Sequence, residues 1–494
     1  MSEAVKRLSR LGLKAIGGHD PEITGISTDS RTVRPGHLFA ALPGSAIHGG
    51  EFIPYALRME AAAILTDAAG AALAVDALRG WTGALVVAED PRQALAGAAA
   101  LWFGGQPEKV VAVTGTSGKT SVASFTRQIW QSLGHKAISL GTMGVEGDYE
   151  ARLAHTTPEP VTLHRILAAA AEAGVTNVAM EASSHGLDQR RLDGVRLMAG
   201  AFTNFSQDHL DYHAGFDEYF AAKALLFSHI LEAGDGAVIN IDSERGRQMA
   251  DIARDHDLIL TTIGQAEGAD FRILGQRYDA TGQELRFSHQ GQAYLVRLAL
   301  IGGFQAENVL AAAGLAIASG DDAGAVIAAL PHLQTVRGRM QLVAQRENGA
   351  AVFVDYAHKP GAVVAALKSL RPHVMGRIVV VLGAGGDRDR GKRPLMGQAA
   401  RDHADLVYIT DDNPRTEDPA TIRAGVMAGA GPDAIEIGDR AEAILRAVDA
   451  LEPGDALLIA GKGHETGQII GTDVFPFDDA EQASVAVAAL DGKI

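Results

Sequence analysis

The segment Thr114-Gly115-Thr116-Ser117-Gly118-Lys119-Thr120-Ser121 has the residue types of a phosphate cradle. Glycines let backbone N–H groups approach an anion, a lysine reaches the terminal phosphates, and a hydroxyl can ligate Mg2+. The general pattern needs a glycine five residues before Gly118, where Val113 stands, so this loop is the shorter Gly-x-x-Gly-Lys-Thr. On residue types alone, a glycine-rich turn with a surface lysine is the alternative. Two further segments could act beside it: Met180-Glu181-Ala182-Ser183-Ser184-His185-Gly186, and Asn204-Phe205-Ser206-Gln207-Asp208-His209-Leu210-Asp211-Tyr212-His213. Glu181 and Thr120 offer oxygen ligands to Mg2+, and His209 a less usual nitrogen. Asp208 or Asp211 could equally cap a helix there. Lys223, within 219–227, reads by composition as part of a solvated helix face.

A third group lies nearer the C-terminus. It comprises Gly383-Ala384-Gly385-Gly386-Asp387-Arg388-Asp389-Arg390-Gly391-Lys392-Arg393-Pro394, Asp411-Asp412-Asn413-Pro414-Arg415 and Gly461-Lys462-Gly463-His464-Glu465. Singly, these read as a charged loop or an Asn-Pro turn. Together they set Arg388, Arg415 and acidic groups at neighbouring strand ends, which suits a zwitterion carrying an extra carboxylate.

The elements that must position these residues follow from hydrophobic patterning. Short Val/Ile-rich runs end in Gly, Thr, Asp or Asn and give way to Ala-rich helical segments, the pattern of β-α-β units in a parallel sheet. Strands are expected at 110–114, 176–181, 199–204 and 237–240, and again at 352–356, 378–382, 406–410 and 456–460. The helix after the phosphate loop should bury Val122, Phe125, Ile129 and Leu133, with Gly134 ending it. A β-hairpin region is expected over 271–300, turning at 278–282, inside the middle block. At roughly 100–200 residues per domain, 494 residues make about three. Gly104-Gly105-Gln106-Pro107 and 331–338 serve as linkers, which gives domains 1–105, 106–333 and 334–494.

Lys+Arg is 44 and Asp+Glu is 60, so the net charge is 44 − 60 = −16, which argues against general nucleic-acid or anionic-membrane binding. No cysteine is present, which excludes disulfides, thiolate metal sites and cysteine nucleophiles. The N-terminus opens no apolar signal core, so a cytoplasmic protein without membrane insertion is expected.

The loop Thr-Gly-Thr-x-Gly-Lys-Thr at 114–120 resembles that of the Mur ligases and their folylpolyglutamate synthetase relatives, which use ATP to join an amino acid to a carboxylate. The resemblance extends over nearly the whole chain. It implies three α/β domains: an N-terminal uridine-nucleotide domain, a central P-loop ATPase domain with mostly parallel sheet, and a C-terminal Rossmann-like domain. It implies ATP contacts at Gly115, Thr116, Ser117, Gly118, Lys119, Thr120, Ser121, Asn308 and Arg339. It implies catalytic roles for Lys119, Lys223 and His209, and two Mg2+ ions held by Thr120, Glu181, His209 and a carbamylated Lys223. Thr28-Asp29-Ser30-Arg31 resembles the opening motif of the members that add the third peptide residue. By that likeness Thr28, Ser30 and Ser45 would hold the uridine end of UDP-MurNAc-L-Ala-D-Glu, and His155, Thr156, Thr157, Ser183, Gln189 and Arg191 the muramoyl-dipeptide end. Asp412-Asn413-Pro414-Arg415 is similar to the mark of members that add meso-2,6-diaminopimelate, with Arg388, Gly461 and Glu465 beside it. The resemblance therefore implies an ATP-dependent ligase acting as a monomer through an acyl phosphate. A lysine-adding ligase, a folylpolyglutamate synthetase-like ligase and an ATP-binding regulator are the alternatives.

Overall fold

A computed structural model describes residues 5–44, 47–206, 212–213 and 215–493. Contacts divide the chain into two compact units, Met1–Thr262 with Ala311–Ala323, and Ile263–Leu310 with Gly324–Ile494. After a short antiparallel pair, Lys6–Arg7 with Glu22–Ile23, the first unit has four parallel strands in sequential order, Gly25–Ser27, His37–Ala40, Ala63–Thr66 and Ala84–Val87. Leu38, Ala63, Leu65 and Val86 meet Leu95 and Ala98 of the helix Pro91–Phe103 in one core. That helix starts where it does because Asp90 accepts from the N–H groups of Arg92 and Gln93, ahead of a proline that needs no donor partner.

The same unit holds the sheet beneath the phosphate loop. Lys109–Thr114 is flanked by Asn177–Glu181 on one side and Ala199–Phe202 on the other, all parallel. Gly236–Asn240 extends the sheet beyond Ala199–Phe202, and Ala137–Gly141 extends it beyond Asn177–Glu181. Strands buried on both faces read as continuous apolar runs, as Val110, Val111, Ala112 and Val113 do. The helix Lys119–Ser132 buries Val122, Phe125 and Ile129 as its spacing requires, while Leu133 is half-buried. Gly134 ends the helix at φ +85°, a conformation that costs a glycine little.

In the second unit, Phe271–Asp279, Gly282–His289 and Gln292–Leu298 form an antiparallel meander, turning between Asp279 and Gly282. A six-stranded sheet follows in the order Gln341–Gln345, Ala351–Asp355, Ala456–Ala460, Ile378–Leu382, Leu406–Ile409, Ile435–Glu436, parallel except for its first strand. Two of its helices, Lys392–His403 and Pro419–Ala430, pack so closely that a side chain on Gly429 would overlap the Pro394 carbonyl. Arg440 and Asp479 form a fully buried ion pair at 2.7 Å. Among the described residues, no helix is long and apolar enough to cross a membrane.

Candidate active site

Gly115, at φ +142°, turns the chain off the strand Lys109–Thr114, and Gly118, at φ +89°, turns it into the helix Lys119–Ser132. The loop therefore sits at a strand's carboxyl end and a helix's positive end, where an anion is stabilised. Asn204 braces it from the neighbouring strand end. Its backbone carbonyl accepts from Thr116 N at 3.0 Å and its side-chain oxygen from Ser117 N at 2.9 Å. Thr203 Oγ1 donates to the Ser117 carbonyl at 2.6 Å. Lys119 Nζ lies along the loop, 2.8 Å from the Gly115 carbonyl and 3.0 Å from that of Thr116.

Lys223 is fully buried, which overturns the solvated-face reading. It projects from the helix Phe216–Leu225, donates to the Gly115 carbonyl at 2.8 Å and lies 4.5 Å from the centre of the Tyr219 ring. Composition favours exposure for lysine, but the fold brings this helix under the phosphate loop. Glu181, 2% exposed, accepts from Thr142 N at 2.8 Å and from Thr142 Oγ1 at 3.3 Å. A side chain on Gly141 would overlap its carboxylate. Thr120 and Glu181 line one small cavity of about 10 Å3. This oxygen pair suits a hard cation. An ammonium at Lys223 does not, and that side chain would become an oxygen ligand only as a carbamate. Among the described residues, no three His, Asp or Glu side chains form a metal nest. His209 lies outside the described residues, as does Ser45.

Several expected dipeptide contacts come together. Ser183 caps the short helix Ser184–Asp188 and accepts from Gly186 N at 3.0 Å. Thr157 Oγ1 donates to the Glu181 carbonyl at 2.9 Å and accepts from Ser183 N at 3.0 Å. Arg191 donates to the Thr157 carbonyl at 2.6 Å and to Gln189 Oε1 at 2.7 Å. Burial, and then the nearby Arg92 charge, pull the Arg191 pKa below its ordinary value. Thr156 joins the group through Thr142 Oγ1 at 3.0 Å, whereas His155 is exposed. Thr28 and Ser30 belong to a separate patch, at the end of the strand Gly25–Ser27. There Asp29 caps the turn Ser30–Thr32 and grips Arg31.

The third patch lies in the second unit. Arg415 adopts φ +54° and is tied to Ile469 O by its N–H, at 3.1 Å. Its Nη1 donates to the Gly386 carbonyl at 2.8 Å. Gly386 N donates back to the Asn413 carbonyl at 2.9 Å, so the two loops lock together. Glu417 adds to the lock by accepting from Arg393 at 2.8 Å and Asp387 N at 2.6 Å. Those bonds hold its carboxyl down to about 2. Asn413 Nδ2 donates to Glu465 Oε2 at 3.0 Å. Gly461 sits at φ +118°, where a side chain would press on Asp412 at 2.6 Å. Arg388 is exposed on the adjoining loop. Asn308 donates to Gln305 Oε1 at 3.0 Å, and the Arg339 guanidinium stacks 4.6 Å from the centre of the Tyr356 ring. Tyr356 also contacts the half-buried His464, whose pKa desolvation pulls down to about 4.

Asn204, Thr142, Tyr356 and Lys462 escaped residue-level assignment. Asn204 and Lys462 stand inside segments singled out by sequence, two residues past strands, and Tyr356 follows the strand Ala351–Asp355. Thr142 carries no local signal beyond following the strand Ala137–Gly141.

Comparison with known proteins settles the family. The chain is 50% identical over 472 residues to a UDP-N-acetylmuramoyl-L-alanyl-D-glutamate–2,6-diaminopimelate ligase of Bradyrhizobium diazoefficiens, covering 95% of each chain. The chain belongs to the Mur ligase family. The family model "Mur ligase family, catalytic domain" matches residues 22–102, "Mur ligase middle domain" 113–316 and "Mur ligase, glutamate ligase domain" 338–463. A ligase of the same name from Caulobacter vibrioides is 47% identical, covering 98% of this chain and 99% of its own. A solved structure of such a ligase matches with a TM-score of 0.73 at 34% identity, covering 98% of this chain and 99% of that one. A folylpolyglutamate synthase of Mycobacterium tuberculosis, at 20% identity and a TM-score of 0.60, covers 75% of this chain and 90% of its own, and shares the fold.

Proposed function

We propose that this Mur ligase uses ATP to add meso-2,6-diaminopimelate to the D-Glu γ-carboxylate of UDP-MurNAc-L-Ala-D-Glu in peptidoglycan synthesis. The observation that carries the choice of amino acid is the Arg415 guanidinium. Its Nη1 is held by the Gly386 and Asn413 carbonyls while the Asn413 amide meets Glu465, so the same loop cluster offers a cation for an extra carboxylate and an anion for an ammonium. In the first step the substrate carboxylate attacks the γ-phosphorus, giving an acyl phosphate and ADP. In the second, the diaminopimelate amine attacks the acyl carbon and phosphate leaves. Gly115, Thr116, Ser117, Gly118, Lys119, Thr120 and Ser121 cradle the triphosphate, with Asn308 and Arg339 as further ATP contacts. Lys119 offsets charge that develops on the transferred phosphoryl group. Thr120, Glu181, His209 and carbamylated Lys223 would hold Mg2+, whose chemistry there is neutralisation of the triphosphate charge. Thr28, Ser30 and Ser45 hold the uridine end. His155, Thr156, Thr157, Ser183, Gln189 and Arg191 orient the dipeptide. Arg388, Asp412, Asn413, Pro414, Arg415, Gly461 and Glu465 receive the amino acid. The domains divide near residues 105 and 333, and the enzyme works as a cytoplasmic monomer.

The test is phosphate release from ATP with UDP-MurNAc-L-Ala-D-Glu, comparing diaminopimelate with L-lysine. Release that depends on diaminopimelate is expected. No release with either amino acid would overturn the ligase reading, and equal rates would overturn the role of Arg415.

A further inference from the structure

Lys462 stands two residues past the strand Ala456–Ala460 and has no exposed surface. A buried ammonium is costly unless it is paired and fully bonded. Lys462 Nζ donates to Asn413 Oδ1 at 3.0 Å, and lies 3.6 Å from Glu465 Oε2 and 3.8 Å from Asp412 Oδ1. Ile469 N donates to the same Asn413 oxygen at 2.9 Å. With that oxygen saturated, the amide can point only its nitrogen at Glu465, and it does so at 3.0 Å. A continuous chain therefore runs from Lys462 through Asn413 to Glu465.

The charges sharpen the argument. Lys462 and Arg440 are the two cations that meet the carboxylates Asp412, Glu465 and Asp479 here. Arg440 is taken up by Asp479. That leaves Lys462 as the cation between Asp412 and Glu465.

We infer that Lys462 is a positioning residue for diaminopimelate: it holds Asn413 and Glu465 in place to receive a substrate ammonium. This rests on the function proposed above. Lys462 touches no reacting atom in this scheme, so its loss should weaken capture of the amino acid and leave the earlier substrates alone.

The experiment compares steady-state kinetics of the full-length enzyme and its Lys462→Met variant. The KM for diaminopimelate should rise at least tenfold, with the KM values for ATP and UDP-MurNAc-L-Ala-D-Glu within twofold of the parent. Lys462→Gln keeps a donor to Asn413 but drops the charge. It should fall between the two, and it serves as the test if Lys462→Met does not fold. In a Glu465→Gln background, Lys462→Met should add less than a threefold further rise. A folded variant with a diaminopimelate KM within threefold of the parent would overturn the inference. So would equal rises for all three substrates, or full additivity with Glu465→Gln. A parent enzyme that shows no diaminopimelate dependence would instead overturn the proposed function.

Discussion

Replacing Arg415 with Met tests the amino-acid pocket most directly. The backbone at Arg415 is clamped, since its N–H donates to Ile469 O at 3.1 Å and its carbonyl accepts from Gly471 N at 2.7 Å. Nη1 is fixed by the Gly386 carbonyl at 2.8 Å, with the Asn413 carbonyl at 3.5 Å. Among the described residues, Nε and Nη2 carry no such bond. The fork is thus already oriented, and little side-chain entropy remains to be lost on binding. A hydrogen bond to a charged group contributes about 1.5–3 kcal/mol. At about 1.4 kcal/mol per tenfold, Arg415→Met should lower kcat/KM for diaminopimelate by roughly 10- to 150-fold. Activity with L-lysine, which lacks the distal carboxylate, should not fall. Coupled phosphate release with both amino acids measures this. Arg415→Lys keeps the charge without the fork and should lie between. A folded Arg415→Met enzyme whose kcat/KM for diaminopimelate stays within threefold of the parent would refute the reasoning.

Lys223→Ala should be inactive and partly restored by small carboxylates, because a carboxylate can stand in for a carbamate beside the Gly115 loop. Unaided full activity in a phosphate-release assay would dismiss the modification. His464 has a folded pKa of about 4 against an ordinary 6.5, so the unfolded chain binds more protons between those values. Its contribution to stability is complete above about pH 6.5 and is lost as the pH falls towards 4. His464→Phe should flatten that part of the urea-midpoint profile, and parallel profiles for variant and parent would count against it. Arg440→Met strands the buried Asp479 carboxylate and should cost about 3–5 kcal/mol, with Asp479→Leu restoring much of it. An unchanged unfolding midpoint in the single variant would contradict this.

Much of the fold was legible residue by residue. The expected strand at 378–382 coincides with Ile378–Leu382, and that at 456–460 with Ala456–Ala460. The helix after the phosphate loop ends at Gly134 as its spacing requires. These are local matters of apolar period, turn residues and φ preference. Lys223 shows the limit. Its exposure cannot be inferred from neighbours in sequence, because the carbonyl it bonds lies at Gly115, more than a hundred residues away. Asn204 bracing the loop and Lys462 ordering Asn413 are likewise products of strands brought side by side.

The sequence alone determined the α/β class and the phosphate loop, and through family motifs it pointed to the residues proposed for the site. Each depends on residue types within a few positions of one another, where steric preference and periodicity act directly. Only the tertiary structure decided which of those residues are buried, which oxygen each donor meets, and that Lys462 stands between two carboxylates. Burial and charge pairing are set by groups far apart in the chain, and their energies exist only once the sheets have formed.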